Sequence, residues 1–171
     1  MHPGDLLEEK EIAELLEKSD QQKLKDSALN LLSYRVRSRA ELKRRLIDKG
    51  WTIAEIDPLL DYLESKGYLN DLEFARTFTR DKIKLKHLGP FAISAELMRF
   101  QVDKTIIKQV VKEFYPEGTE VKLIGELLDK KSLSINEPDK KQQKKIIDFL
   151  TRKGFAWEHI RTVMYERKLI K

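Results

Sequence analysis

The sequence predicts an all-α protein. Three tandem three-helix repeats of about 50 residues form an elongated curved array behind an N-terminal leader helix. Three observations predict it. Charged residues make up 37% of the 171, with 7 Gly and 5 Pro, so helix formers dominate and helix breakers are few. Apolar residues recur at spacings of three and four, the period of one helical face. The pattern also repeats along the chain. A shift of 51 superposes Leu46, Trp51, Ile56, Leu59, Leu60 and Leu63 on Leu97, Val102, Ile107, Val110, Val111 and Phe114. A shift of 104 carries the first five to Leu150, Phe155, Ile160, Val163 and Met164, and Gly50 to Gly154, while the sixth lands on Arg167. The boundaries that follow are a leader helix over 1–19 and repeats over 20–69, 70–116 and 117–171.

In the leader, Leu6, Leu7, Ile12, Ala13, Leu15 and Leu16 lie among acids, and the helix is expected to end near Ser19-Asp20. The next helix runs to about Tyr34, with Leu24, Ala28, Leu31 and Leu32 on one face. Ser38 and Glu41 then form a capping box, in which the hydroxyl accepts from the third amide and the carboxylate reaches back to the first. Leu42, Leu46 and Ile47 follow as core, and Lys49-Gly50 as a cationic last turn with a left-handed stop. Thr52 and Glu55 repeat the box before the stripe Ile53, Ile56, Leu59, Leu60 and Leu63, and Lys66-Gly67 repeats the stop. Pro58 would lack an amide inside this helix, which predicts either a kinked helix, the preferred reading, or a later start with Asp57 as cap. Asn70 to Glu73 opens the second repeat, and Gly89-Pro90 starts its second helix. Pro116-Glu117-Gly118 breaks the chain before the third repeat. Lys131 to Lys141 reads as a turn or mobile loop, and a lysine-rich helix follows from about Asp139 to Lys153.

Charge is laid out in blocks. The chain carries a net charge of +5, divided as −4 over 1–27, +5 over 28–50, −5 over 51–75, +6 over 76–112, −4 over 113–139 and +7 over 140–171. Separate basic surfaces are expected from this alternation, not one cationic tail. With no cysteine, disulfides and thiolate chemistry are excluded, and a cytoplasmic location fits. The longest apolar run is far short of the roughly 20 residues a membrane helix needs, and the acidic start does not resemble a signal peptide. The three histidines, His2, His87 and His159, have no partner at a ligand spacing, so no metal or cofactor is expected. No phosphate loop and no nucleophile–base pattern occurs, so no catalytic residue is assigned.

Basic helices remain. Glu41 and Arg45 can pair four apart, as can Arg44 and Asp48, which leaves Arg35, Arg37, Arg39, Lys43 and Lys49 less neutralised, several of them at a helix start beside Tyr34. Cations there oppose the helix dipole, so stability alone does not explain them. They could contact an acidic protein surface or neutralise phosphates.

Arg35-Val36-Arg37-Ser38-Arg39-Ala40-Glu41-Leu42, with Leu46, Lys49-Gly50, Ile56 and Leu63, resembles the first repeat of RecX regulatory proteins. Gly67-Tyr68-Leu69-Asn70-Asp71-Leu72-Glu73-Phe74-Ala75 resembles that family's second characteristic segment. The resemblance implies a non-enzymatic tandem-repeat protein that acts as a monomer. It would bind the RecA recombinase filament in its groove and modulate it, mostly negatively, in DNA repair and the SOS response. DNA, single- or double-stranded, is a candidate direct contact. The alternative is an autonomous nucleic-acid-binding helical protein, since three-helix units are similar to DNA-reading folds. The candidate binding residues are Tyr34, Arg35, Arg37, Arg39, Lys43, Arg76, Arg80, Lys84, Lys144 and Lys145.

Overall fold

The computed structural model describes residues 3–130 and 138–170, with side chains from Glu17 onward. Among them are nine helices and no strand: α1 (Pro3–Tyr34), α2 (Arg39–Ile47), α3 (Ile53–Ser65), α4 (Asp71–Lys86), α5 (Pro90–Arg99), α6 (Lys104–Phe114), α7 (Thr119–Lys130), α8 (Lys140–Arg152) and α9 (Trp157–Glu166). The expected all-α repeat architecture is what the chain adopts. It divides into two compact units, Met1–Asp71 and Leu72–Lys171.

The first unit holds one repeat. Leu24 and Ala28 of α1 pack with Leu42 and Leu46 of α2, with Ile56, Leu60 and Leu63 of α3, and with Leu69. The predicted break at Ser19-Asp20 is absent, and α1 runs unbroken through both residues. Asp20 accepts from Lys23 at 2.9 Å and Asp26 from Gln22 at 2.8 Å, so these polar side chains brace the helix from outside. The apolar face expected from Leu6 to Leu16 lies outside the described side chains.

Thr52 caps α3 with a complete capping box. The helix therefore starts ahead of Pro58 and contains it, and the later start at Asp57 is overturned. Asp57 bonds Lys43 at 2.6 Å. Ile53, expected in the apolar stripe, is exposed, as is Ile47.

The second unit holds two repeats with a core each. Phe74, Ala75, Ile93, Leu97, Val102, Ile107 and Val110 form one, closed by the rings of Phe74, Phe78 and Phe100 at 5.2–5.8 Å between centroids. Leu123, Ile124, Leu127, Leu128, Ile146, Leu150, Phe155, Ile160, Val163, Met164 and Leu169 form the other. Repeat-equivalent residues share a fate: Leu46, Leu97 and Leu150 are buried, and so are Ile56, Ile107 and Ile160. The mismatched Arg167 turns to Asp129. The stop is conserved in conformation where the residue changes. Gly50 and Gly154 have φ of +96° and +88°, and Gln101, at the same place in the second repeat, has +55°.

The second and third repeats are joined backbone to backbone. The Gly89 amide donates to the Lys153 carbonyl at 2.7 Å and the Phe91 amide to the Gly154 carbonyl at 3.1 Å. The carbonyl end of α8 thus satisfies the open amides that start α5. A Cβ on Gly154 would lie 2.2 Å from the Ala92 nitrogen, and one on Gly89 2.4 Å from the Gly154 oxygen. Tyr115 donates to the Leu88 carbonyl at 2.5 Å, and burial pushes its phenol well above the ordinary tyrosine range. The loop expected at Lys131 to Lys141 lies largely outside the described residues. At its end, Asp139 and Gln142 form a second complete capping box for α8.

Candidate functional site

The ten residues singled out in the sequence fall into two classes. In the first repeat, Tyr34 is 76% exposed at the end of α1, but the cations after it are committed. Glu41, 3% exposed, receives Arg37 at 2.5 Å, Arg35 at 2.6 Å and Arg45 at 3.1 Å, all on Oε1. Arg37 is itself buried, at 7% exposure, and its Nε also donates to the Leu31 carbonyl at 2.9 Å. Arg39 reaches Asp61 and Glu64 at 2.7 Å each, while its amide donates to Asp71 at 2.7 Å. Lys43 reaches Asp57.

The expectation that Arg35, Arg37, Arg39, Lys43 and Lys49 remain less neutralised is therefore overturned for the first four, while Lys49 is exposed without an ion pair among the described residues. The missing observation is the acidic block that follows them. Residues 51–75 carry the net −5 that answers the +5 of 28–50. In a three-helix unit α3 must pack beside α2, so its Asp57, Asp61 and Glu64 meet Lys43 and Arg39, while Arg35 and Arg37 are answered by Glu41 within the basic block itself.

The electrostatics agree. Burial alone would raise the Glu41 pKa, but hydrogen bonds and charge from Arg45, Arg35 and Arg37 outweigh it and hold the carboxyl below its usual range. Burial acts against the Arg39 charge, and Asp61 and Glu64 more than offset it. Asp71 goes the other way: burial raises it, and the Arg39 amide and charge offset only part.

The candidates of the other repeats are more open. Arg76 pairs with Glu113 at 2.9 Å, and Arg80 is exposed with its guanidinium 5.9 Å from the Phe114 ring centre. Lys84 is exposed on α4. Lys144 and Lys145 are exposed on α8 with Lys140, Lys141 and Arg152, and none of the five makes an ion pair among the described residues. Asp139 caps α8, but the first turn itself has no acid, so Lys140 and Lys141 sit at the positive end of the helix dipole. Each such placement near a helix start costs about 0.3–1 kcal/mol. Ile146 and Leu150 fix the orientation by burying the opposite face.

A third basic surface escaped the sequence reading. Lys104, Lys108 and Lys112 lie on one face of α6, all exposed, while Ile107 and Val110 bury the other. Their spacing of four in an amphipathic helix was the available signal. Among the described residues no group of three His, Cys, Asp or Glu could hold a metal ion, and no helix is long and apolar enough to cross a membrane.

Comparison with known proteins adds the family context. Three family models match in tandem: the RecX first three-helix domain over 25–68, the second over 70–111 and the third over 119–164. A regulatory protein RecX of Pelodictyon phaeoclathratiforme is 33% identical over 138 residues, covering 80% of this chain and 84% of that protein. One of Listeria monocytogenes serotype 4a is 32% identical over 163 residues, covering 95% of this chain. This chain spans 61% of that Listeria protein's length. Among solved structures, a crystal structure of regulatory protein RecX superposes with a TM-score of 0.80 at 24% identity, over 92% of this chain and 77% of the other. The crystal structure of RecX from Lactobacillus salivarius gives 0.74 at 25%, over 90% and 99%.

Proposed function

The chain belongs to the RecX family of regulatory proteins, and we propose that it is a non-enzymatic, cytoplasmic regulator acting as a monomer on the RecA–DNA filament. Its effect is mostly inhibitory, on the recombinase, ATPase and coprotease activities of DNA repair and the SOS response. The observation that carries the reading is α8. Lys140, Lys141, Lys144 and Lys145 stand exposed without an ion-pair partner among the described residues, the first two of them in the first turn against the helix dipole. Stability does not account for that placement, whereas an acidic protein surface or a phosphate backbone would. Lys84 is exposed too, though in the last turn of α4, where a cation suits the dipole, and the first-repeat arginines supply the fold that presents Tyr34.

Steady-state ATPase of the recombinase on single-stranded DNA, measured beside binding of the chain to naked DNA, tests this. Inhibition at concentrations that give little DNA binding supports it. Tight DNA binding without any effect on the filament would replace it with an autonomous nucleic-acid-binding role. The lysine row Lys104, Lys108 and Lys112 is the observation that favours this second reading. Its members rise about 6 Å apart along α6, so three phosphates could be met in sequence.

A further inference from the structure

The junction of the second and third repeats displays large apolar side chains where a core would hide them. Leu85 is 71% exposed, Phe91 65% and Trp157 52%. Scattered apolar side chains are ordinary on a protein surface, but these three are gathered by backbone. Phe91 donates its amide to Gly154, three residues before Trp157, and the Lys153 ammonium donates to the carbonyl of Lys86, next to Leu85, at 2.6 Å. The approach of Ala92 to Gly154 leaves no room for a side chain on the glycine, so the first turn of α5 is fixed against the α8–α9 turn. Lys84, Lys86 and Arg152 stand exposed around the junction, with no acid paired to their side chains among the described residues. The acids nearest the junction are Glu158, beside Trp157, Glu120, which accepts from the Ala156 amide at 3.4 Å, and Glu126, 3.5 Å from His87.

Exposed rings on rigid backbone, with unpaired cations around them, are what a single-stranded nucleic acid requires. Its bases offer π-faces that a duplex hides, and its phosphates follow the cations. We propose that this junction is a stacking platform for single-stranded nucleic acid, with Phe91 and Trp157 carrying bases and Lys84, Lys86 and Arg152 holding phosphates. The proposal deepens the filament reading, on which it rests for its biological setting, by giving the chain a contact with the strand itself.

The test uses the full chain and no recombinase, so its failure leaves filament docking standing. The chain has two tryptophans, and Trp51→Phe makes Trp157 the sole indole. This variant is titrated with an oligothymidylate dodecamer and with an abasic dodecamer of equal charge. The expected result is quenched Trp157 fluorescence and roughly tenfold tighter binding of the thymidylate, with Phe91→Ala and Trp157→Ala each weakening it by roughly fivefold or more. Trp157→Phe, which keeps a ring, retains most of the affinity and loses the quenching signal. Equal affinity for both dodecamers, or binding without quenching, overturns the platform and leaves plain phosphate attraction. No binding of either strand overturns it too, and assigns the exposed rings to a protein partner.

Discussion

The first and third repeats both contain a block of strong positive charge, +5 over 28–50 and +7 over 140–171, and they use it in opposite ways. In the first, Arg35, Arg37 and Arg45 converge on buried Glu41, Arg39 spans Asp61 and Glu64, and Lys43 holds Asp57. In the third, four lysines stand exposed in the first half of α8 and none makes an ion pair among the described residues, Asp139 being engaged as the helix cap. Charge density along a sequence is thus no measure of available charge. What decides is whether packing brings an acid to the same face, from within the block as Glu41 does or from the neighbouring helix as Asp57, Asp61 and Glu64 do.

The sharpest way to break this comparison is to remove the hub. Glu41→Ala strands a buried guanidinium, and urea unfolding should show a loss of about 3–5 kcal/mol in the first unit. Lys144→Ala with Lys145→Ala should stay within about 0.5 kcal/mol of the parent. Similar losses in both would erase the distinction between structural and available cations.

The repeat stops sharpen it next. Gly154→Ala must displace the backbone at Ala92 as well as adopt a left-handed φ, whereas Gly50 has no neighbour within 4 Å of a new Cβ. Thermal unfolding should show a loss of about 1–2 kcal/mol for Gly50→Ala, from backbone strain alone. Gly154→Ala should lose clearly more.

A pH series addresses the hub without mutation. Glu41 is held below its usual range in the fold, so its contribution is fully present above the unfolded value of about 4.3. That contribution is lost as pH falls through the lower folded value. Urea midpoints of the first unit should therefore drop below about pH 4, and Glu41→Gln should flatten that part of the curve. The smallest expected effect is a gain. Gln101→Gly relieves a left-handed non-glycine residue and should stabilise the second repeat by about 1 kcal/mol in the same unfolding assay.

The fold was legible because repeat periodicity, caps and stops are local. Leu46, Ile56 and their equivalents, Thr52 with Glu55, and Gly50 with Gly154 all carry their structural role in their spacing. The charges were not legible in the same way. The partners of Arg39 lie 22 and 25 residues away on α3, and those distances become contacts only after the helices pack. The Ser19-Asp20 break failed for a related reason, since polar residues that can end a helix can equally brace one. The lysine row of α6 was within reach of spacing alone, had the helix face been read for charge as well as for core.

The most direct test of the central claim is the ATPase of the recombinase on single-stranded DNA, titrated with the parent chain and with Lys144→Glu/Lys145→Glu. The account predicts inhibition weakened by roughly tenfold or more, with helicity and urea midpoint unchanged, since reversing two phosphate- or acid-facing cations removes attraction and adds repulsion. Undiminished inhibition by the double variant would contradict it and return the α8 lysines to the role of a solvated helix face.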